Sequence, residues 1–264
     1  MKKIAYLVSG ALIFLLFGVV VSVAQASHSW GGYHWARTAN PFTLKLGNNL
    51  SFNWTSFLNT ASVKWSQSAV LDTNIVAGRS NPKNCRATLG QVEICNNKYG
   101  NNNWLGLAQI WVANGTHIVQ GVVKINDTYF NTPTYNTTAW KNLVMCQEVA
   151  HTFGLDHQDE DFNNANLGTC MDYTRNPSTN QFPNAHDYEQ LEAIYAHLDS
   201  VTTIGGRASS NFRGNNADMN DNDNDNDRTT WGKEIRRDRN GHSSLFERDE
   251  GKNNKIFTFV LWAN

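Results

Sequence analysis

The chain has 264 residues, 40% of them hydrophobic, with 9 Trp, 13 Phe and 8 Tyr, enough apolar bulk for one domain with a sizeable core plus appendages. Its formal net charge is -1. That balance excludes a protein built mainly to neutralise nucleic-acid phosphates, which needs a surplus of Lys and Arg, and charge alone names no partner.

Lys2 and Lys3, followed by an apolar run from Ile4 to about Val23, have the form of a secretion signal. Ala24-Gln25-Ala26 supplies small residues at both positions that signal peptidase reads, so cleavage is expected before Ser27. The mature chain then has no membrane span and works outside the cytoplasm. The rival reading is a retained anchor, because the run is nearly long enough to cross a bilayer. Cys85, Cys95, Cys146 and Cys170 suit an exported chain as two disulfides rather than as four buried thiols. Of the three pairings allowed, sequence proximity favours Cys85 with Cys95 and Cys146 with Cys170.

Residues 27–200 read as one α+β globular unit. Phe42 to Leu46 alternates as a short strand. Asn53 to Ser66 spaces Trp54, Phe57, Leu58, Ala61 and Trp65 as an amphipathic helix does. A strand at Val70 to Val76 precedes a loop closed by Cys85 and Cys95, then a Gly- and Asn-rich turn at 100–103. Leu105 to Val112 and His117 to Ile125 flank Asn114-Gly115, a strong hairpin signal. A helix is expected from about Ala139 to Phe153, ended by Gly154. Residues 158–183 read as irregular, and Asp187 to Leu198 as a final helix. Residues 201–228, with alternating Asn and Asp from Asn220 to Asp227, have the composition of a flexible linker. That tract lacks the Gly and Glu positions of an EF-hand calcium loop. Residues 229–264 hold three strand-like pieces and are expected to form a small β appendage of no assigned function.

The chemistry concentrates in Cys146 to His157, CQEVAHTFGLDH, followed by Thr169-Cys170-Met171-Asp172-Tyr173. Residues four apart on a helix lie about 40° apart and share a face, so Gln147 and His151 project together with Glu148 beside them. Gly154 lets the chain turn so that His157 swings back toward the same point. Cys146, five residues before His151, lies about 140° round the helix and points away.

These residues resemble the metzincin signature HExxHxxGxxH and look most like the matrixins. The resemblance covers roughly residues 35–200 and is strong at 146–173. It implies a metzincin-like domain with a twisted mixed sheet, one catalytic Zn2+ held by Gln147, His151 and His157, and Met171 beneath the metal. It implies Glu148 as the general base that activates a metal-bound water. It makes Leu105 to Val112 an edge strand that pairs with extended peptide substrate. The expected activity is that of a secreted zinc endopeptidase. The family also uses Ca2+, for which no specific motif is present here. Gln147 departs from the family's His, and an amide oxygen is a weaker donor to zinc than imidazole. The alternative is therefore a weak or inactive relative that binds extracellular proteins or surfaces. His186 is a lesser ligand candidate, and His117 is expected at the surface.

Overall fold

The computed structural model describes residues 28–206 and 227–263. The expected signal segment and residues 207–226 of the expected linker lie outside the described residues. Among those described, no helix is long and apolar enough to cross a membrane.

The architecture is one large mixed sheet with few helices. In chain order the elements are β1 (His34–Trp35), β2 (Phe42–Asn49), α1 (Phe52–Trp65), β3 (Leu71–Ala77), β4 (Val92–Asn97), β5 (Trp104–Ala113) and β6 (His117–Asn126). They continue with α2 (Asp127–Phe130), α3 (Thr138–His151), α4 (Ala185–Ile194), β7 (Lys233–Arg237), β8 (Ser243–Gly251) and β9 (Asn254–Trp262). The sheet runs β3-β2-β4-β6-β5-β9-β8-β7, with β1 added to β6. Pairings among β3, β2, β4 and β6 are parallel, and from β6 onward they are antiparallel.

Local chemistry accounts for much of this. The β5–β6 hairpin turns at Asn114 and Gly115, with φ 54° and 93°, the left-handed values a tight primed turn demands. Thr137 caps α3 by accepting from the Trp140 backbone N–H at 3.2 Å. Asn184 and Asp187 form a reciprocal capping box at the start of α4. That helix ends at Ile194, short of the expected Leu198, because the Tyr195 and His197 carbonyls accept from Arg37 and no longer propagate the helix. The strand β4 lies where the sequence suggests only a loop closed by Cys85 and Cys95. Its residues Val92 to Asn96 are buried between β2 and β6, so they are continuously apolar or paired and give no alternating pattern.

Both expected disulfides are present, Cys85–Cys95 and Cys146–Cys170. The main core lies between the sheet and α1 and α3, with Trp35, Trp54, Trp65 and Phe153 buried in it. Its aromatics also close polar ends: the Trp65 indole donates to the Cys146 carbonyl at 3.1 Å and the Trp35 indole to the Thr152 carbonyl at 2.8 Å. Residues 229–263 form the three expected strands but join the main sheet rather than standing apart as an appendage. β9 continues the main sheet, and Phe257, Phe259 and Leu261 enter the same core cluster as α3. Each such side chain contributes on the order of 1.5–3 kcal/mol when fully buried, so the hairpin is an integral layer in the described conformation.

Gly154 ends the turn after α3 with φ 95°, and a Cβ there would meet the Tyr33 carbonyl oxygen at 2.2 Å. Gly154→Ala is expected to destabilise the chain by ~1–3 kcal/mol from backbone strain and backbone overlap, read as a lowered urea midpoint.

Candidate metal centre

α3 is wedged against the sheet, and every side chain from Asn142 to His151 is buried. Buried polar groups normally find partners. Here both amide atoms of Gln147 and both carboxylate oxygens of Glu148 have none. Burial pushes the Glu148 carboxyl well above the ordinary carboxylate range. Gly106 of β5 makes room for it, since a Cβ at that position would lie 2.5 Å from Glu148 Oε1.

Beyond Gly154 the chain doubles back, and the Nε2 atoms of His151 and His157 face each other at 2.9 Å. His151 Nδ1 donates to the Leu155 carbonyl at 2.9 Å, and His157 Nδ1 donates to Glu160 Oε1 at 2.7 Å. Each ring proton is thereby placed on Nδ1, which leaves both Nε2 atoms as bare lone pairs. Burial holds His151 well below the usual histidine range, helped by His157 beside it, and burial lowers His157 to about 3. No proton therefore bridges the rings. Two lone pairs at this separation repel unless a cation lies against both. A donor N–H turned to an oxygen while the other nitrogen is left bare is also how ligating histidines are oriented. The donor set, two imidazoles with an amide one helical turn before the first, fits zinc on its nitrogens and fits it weakly at Gln147.

Met171 is fully buried in the main core, and the Cys146–Cys170 bridge ties its turn to α3. The backbone N–H of Gln158, next to His157, donates to the Met171 carbonyl at 2.7 Å. Helix, returning loop and methionine turn are thus cross-connected around the two histidines.

Several residues here escaped the sequence. Glu160 orients His157, and the only hint was a carboxylate three residues downstream in HQDE. Arg236 of β7 reaches Glu160 at 3.0 Å and Asp156 at 2.6 Å, while Ser244 of β8 donates to Glu160 at 3.0 Å. Phe259 of β9 stacks flat on His151, with centroids 4.0 Å apart and planes 7° apart. The Tyr173 ring lies 4.5 Å from that of His157, and its hydroxyl donates to the Val260 carbonyl at 3.3 Å.

One expectation is overturned. Leu105 to Val112 is not an exposed edge, because β9 pairs with it antiparallel, from Leu261 opposite Gly106 to Lys255 opposite Val112. His117 is partly exposed, and its Nε2 lies 3.3 Å from Asp199 Oδ1, beside His34. His186 packs against His28, with ring centroids 4.9 Å apart, and near Glu189 at 3.7 Å.

No family model matches the chain, and no curated protein matches it. Among solved structures it is similar to one of myroilysin, at 12% identity and a TM-score of 0.36 over 61% of this chain and 96% of that one. A crystal structure of myroilysin matches at 13% identity and a TM-score of 0.31, over 65% and 87%. The GM1-bound form of the ECX AB5 holotoxin matches at 13% identity and a TM-score of 0.29, over 59% and 72%. The shared shape is coarse in each case.

The lowered histidines make the metal-free chain acid-sensitive. Their folded pKa values lie below the unfolded value near 6.5, so the stability they confer is present above about pH 6.5 and is lost as pH falls toward about 3. Each contributes a slope of up to ~1.4 kcal/mol per pH unit in that window. In metal-free protein the urea midpoint is expected to fall from pH 7 to pH 5, and to fall less steeply in His157→Gln.

Proposed function

We propose that this chain is an exported zinc-dependent endopeptidase of metzincin type. The observation that carries the reading is the pair of bare imidazole nitrogens of His151 and His157, in the same buried region as the unpartnered Glu148 carboxylate. Its two disulfides suit an oxidising compartment outside the cytoplasm.

Bound zinc supplies Lewis-acid polarisation of the scissile carbonyl. The chain's own groups do the rest. His151 and His157 hold their Nε2 lone pairs inward because Leu155 and Glu160 take their Nδ1 protons. Glu148 takes a proton from the attacking water and returns it to the leaving amine, the role of a general base. Gly106 leaves the space into which that carboxylate projects. In the described conformation β9 holds the place on β5 that an extended peptide would take.

Gln147 supports a second reading, a relative that keeps the groove and binds protein or surface without cleaving it. Its neutral amide is a poor zinc donor, and its two polar atoms lack protein partners. The two readings part in the test tube.

Purified chain is expected to carry zinc, and a chain whose β5 edge has been freed of β9 to cleave casein or an extended peptide. Glu148→Ala should reduce that cleavage by about 10²–10⁴-fold, the size of a general-base contribution, with the circular dichroism spectrum unchanged. Retained cleavage in that variant would sink the mechanism. Gln147→His should tighten zinc by at least ~10–100-fold, since even an outer partner's loss has that effect. If neither zinc affinity nor rate responds, Gln147 does not face the metal.

A further inference from the structure

β9 runs where an incoming peptide would run. It pairs antiparallel with β5 across the stretch that includes Gly106, against which Glu148 rests. Its alternate side chains Phe257, Phe259 and Leu261 pass into the core, and Phe259 lies flat on His151. Its partner strands hold the far side: Arg236 and Ser244 grip Glu160, the carboxylate that orients His157. From this geometry we propose that the C-terminal hairpin is a built-in occupant of the peptide edge, so that the site is latent until β9 is displaced. The proposal rests on the peptidase reading of that site. It also names the substrate class: an extended segment with large apolar side chains at alternate positions, the pattern β9 presents. A tethered segment acts at an effective concentration on the order of mM, so an outside peptide at micromolar concentration cannot displace it while its clamp is intact.

The test uses the full mature chain and a lysine-flanked fluorescent peptide carrying residues 255–261. Wild type is expected not to bind it. Arg236→Ala, which breaks the clamp at a partly exposed side chain, and Phe259→Ala, which removes the stack on His151, should each bind it at least about tenfold more tightly, and casein cleavage should rise in parallel. Peptide binding without cleavage in either variant upholds the latch and overturns the peptidase reading. Unchanged peptide binding in Arg236→Ala, folded by circular dichroism, overturns the latch. Full cleavage by the intact wild-type chain also overturns the latch while upholding the peptidase.

A separate cluster lies at the junction of β1, β6 and the segment after α4. His34 Nε2 and His197 Nε2 are 3.2 Å apart, and they lie 3.5 and 3.7 Å from Asp199 Oδ1. Ligands about 2.0–2.1 Å from a tetrahedral zinc lie about 3.3–3.4 Å from one another. We infer that His34, His197 and Asp199 hold a transition-metal ion, with His117 Nε2 at 3.3 Å from the same carboxylate oxygen as the nearest further donor. His34 Nδ1 donates to the Gly32 carbonyl at 2.6 Å, which leaves its Nε2 bare. Arg37 takes the other Asp199 oxygen at 2.9 Å and turns Oδ1 toward the histidines, the outer-partner arrangement of metal sites. An imidazole-rich set with one carboxylate selects zinc or its neighbours over calcium or magnesium. The ion clasps the first strand to the chain leaving α4.

His197 is half exposed, so its replacement spares the core. Zinc titrated against a chromophoric chelator should show one equivalent fewer in His197→Ala than in wild type. The same loss should appear when His197→Ala is added to the His151→Ala/His157→Ala chain, which lacks the α3 centre. Equal zinc stoichiometry in folded wild type and folded His197→Ala overturns the site and leaves a histidine–carboxylate salt cluster in its place.

Discussion

The interaction on which the rest depends is the approach of two unprotonated imidazole nitrogens across the turn after α3. Bringing His151 and His157 to 2.9 Å in a buried setting is unfavourable for the bare chain, and the fold spends several of its connections on enforcing it. Gly154 permits the reversal, the Cys146–Cys170 bridge and the Gln158 N–H tie the segment around Met171 to α3 and to the returning loop, and Leu155 and Glu160 fix the ring protons. A buried arrangement with unsatisfied polar atoms at Gln147 and Glu148 is a poor way to gain stability.

The same buried setting explains why the hairpin matters. Strands β7 to β9 extend the sheet past β5 and place Phe259 over His151, so the carboxylate and imidazoles lie under an apolar cover. Low local dielectric raises Glu148 and lowers both histidines together. A strand that contributes Phe257, Phe259 and Leu261 to the core also adds stability to the described conformation. Arg236 links these roles: it joins the hairpin to Asp156 and Glu160, on either side of His157.

The residues flanking His157 also show how the site is layered. Glu160 receives the ring proton, Arg236 and Ser244 hold Glu160, and Tyr173 packs against the ring while its hydroxyl reaches the β9 backbone. Sequence-distant segments, from the methionine turn to the C-terminal hairpin, meet on one imidazole.

Local pattern was enough, in the sequence alone, for the elements whose cause is local. The 3.6-residue spacing of α1 and α3, the Asn114-Gly115 turn, the glycine stop at 154 and the pairing of near cysteines all follow from short-range geometry. So does the approach of His151 to His157, because one glycine reversal after the helix suffices to express it. Tertiary structure alone decided the rest. β4 lies between two parallel neighbours and has no alternating signature to read, while His34, His117, His197 and Asp199 meet from segments far apart in the chain. The destination of residues 229–263 depended on which strand was left with unpaired backbone groups, and β5 had that free edge. Strand pairing across more than a hundred residues is set by long-range complementarity of backbone and apolar faces, which no spacing within a short window encodes.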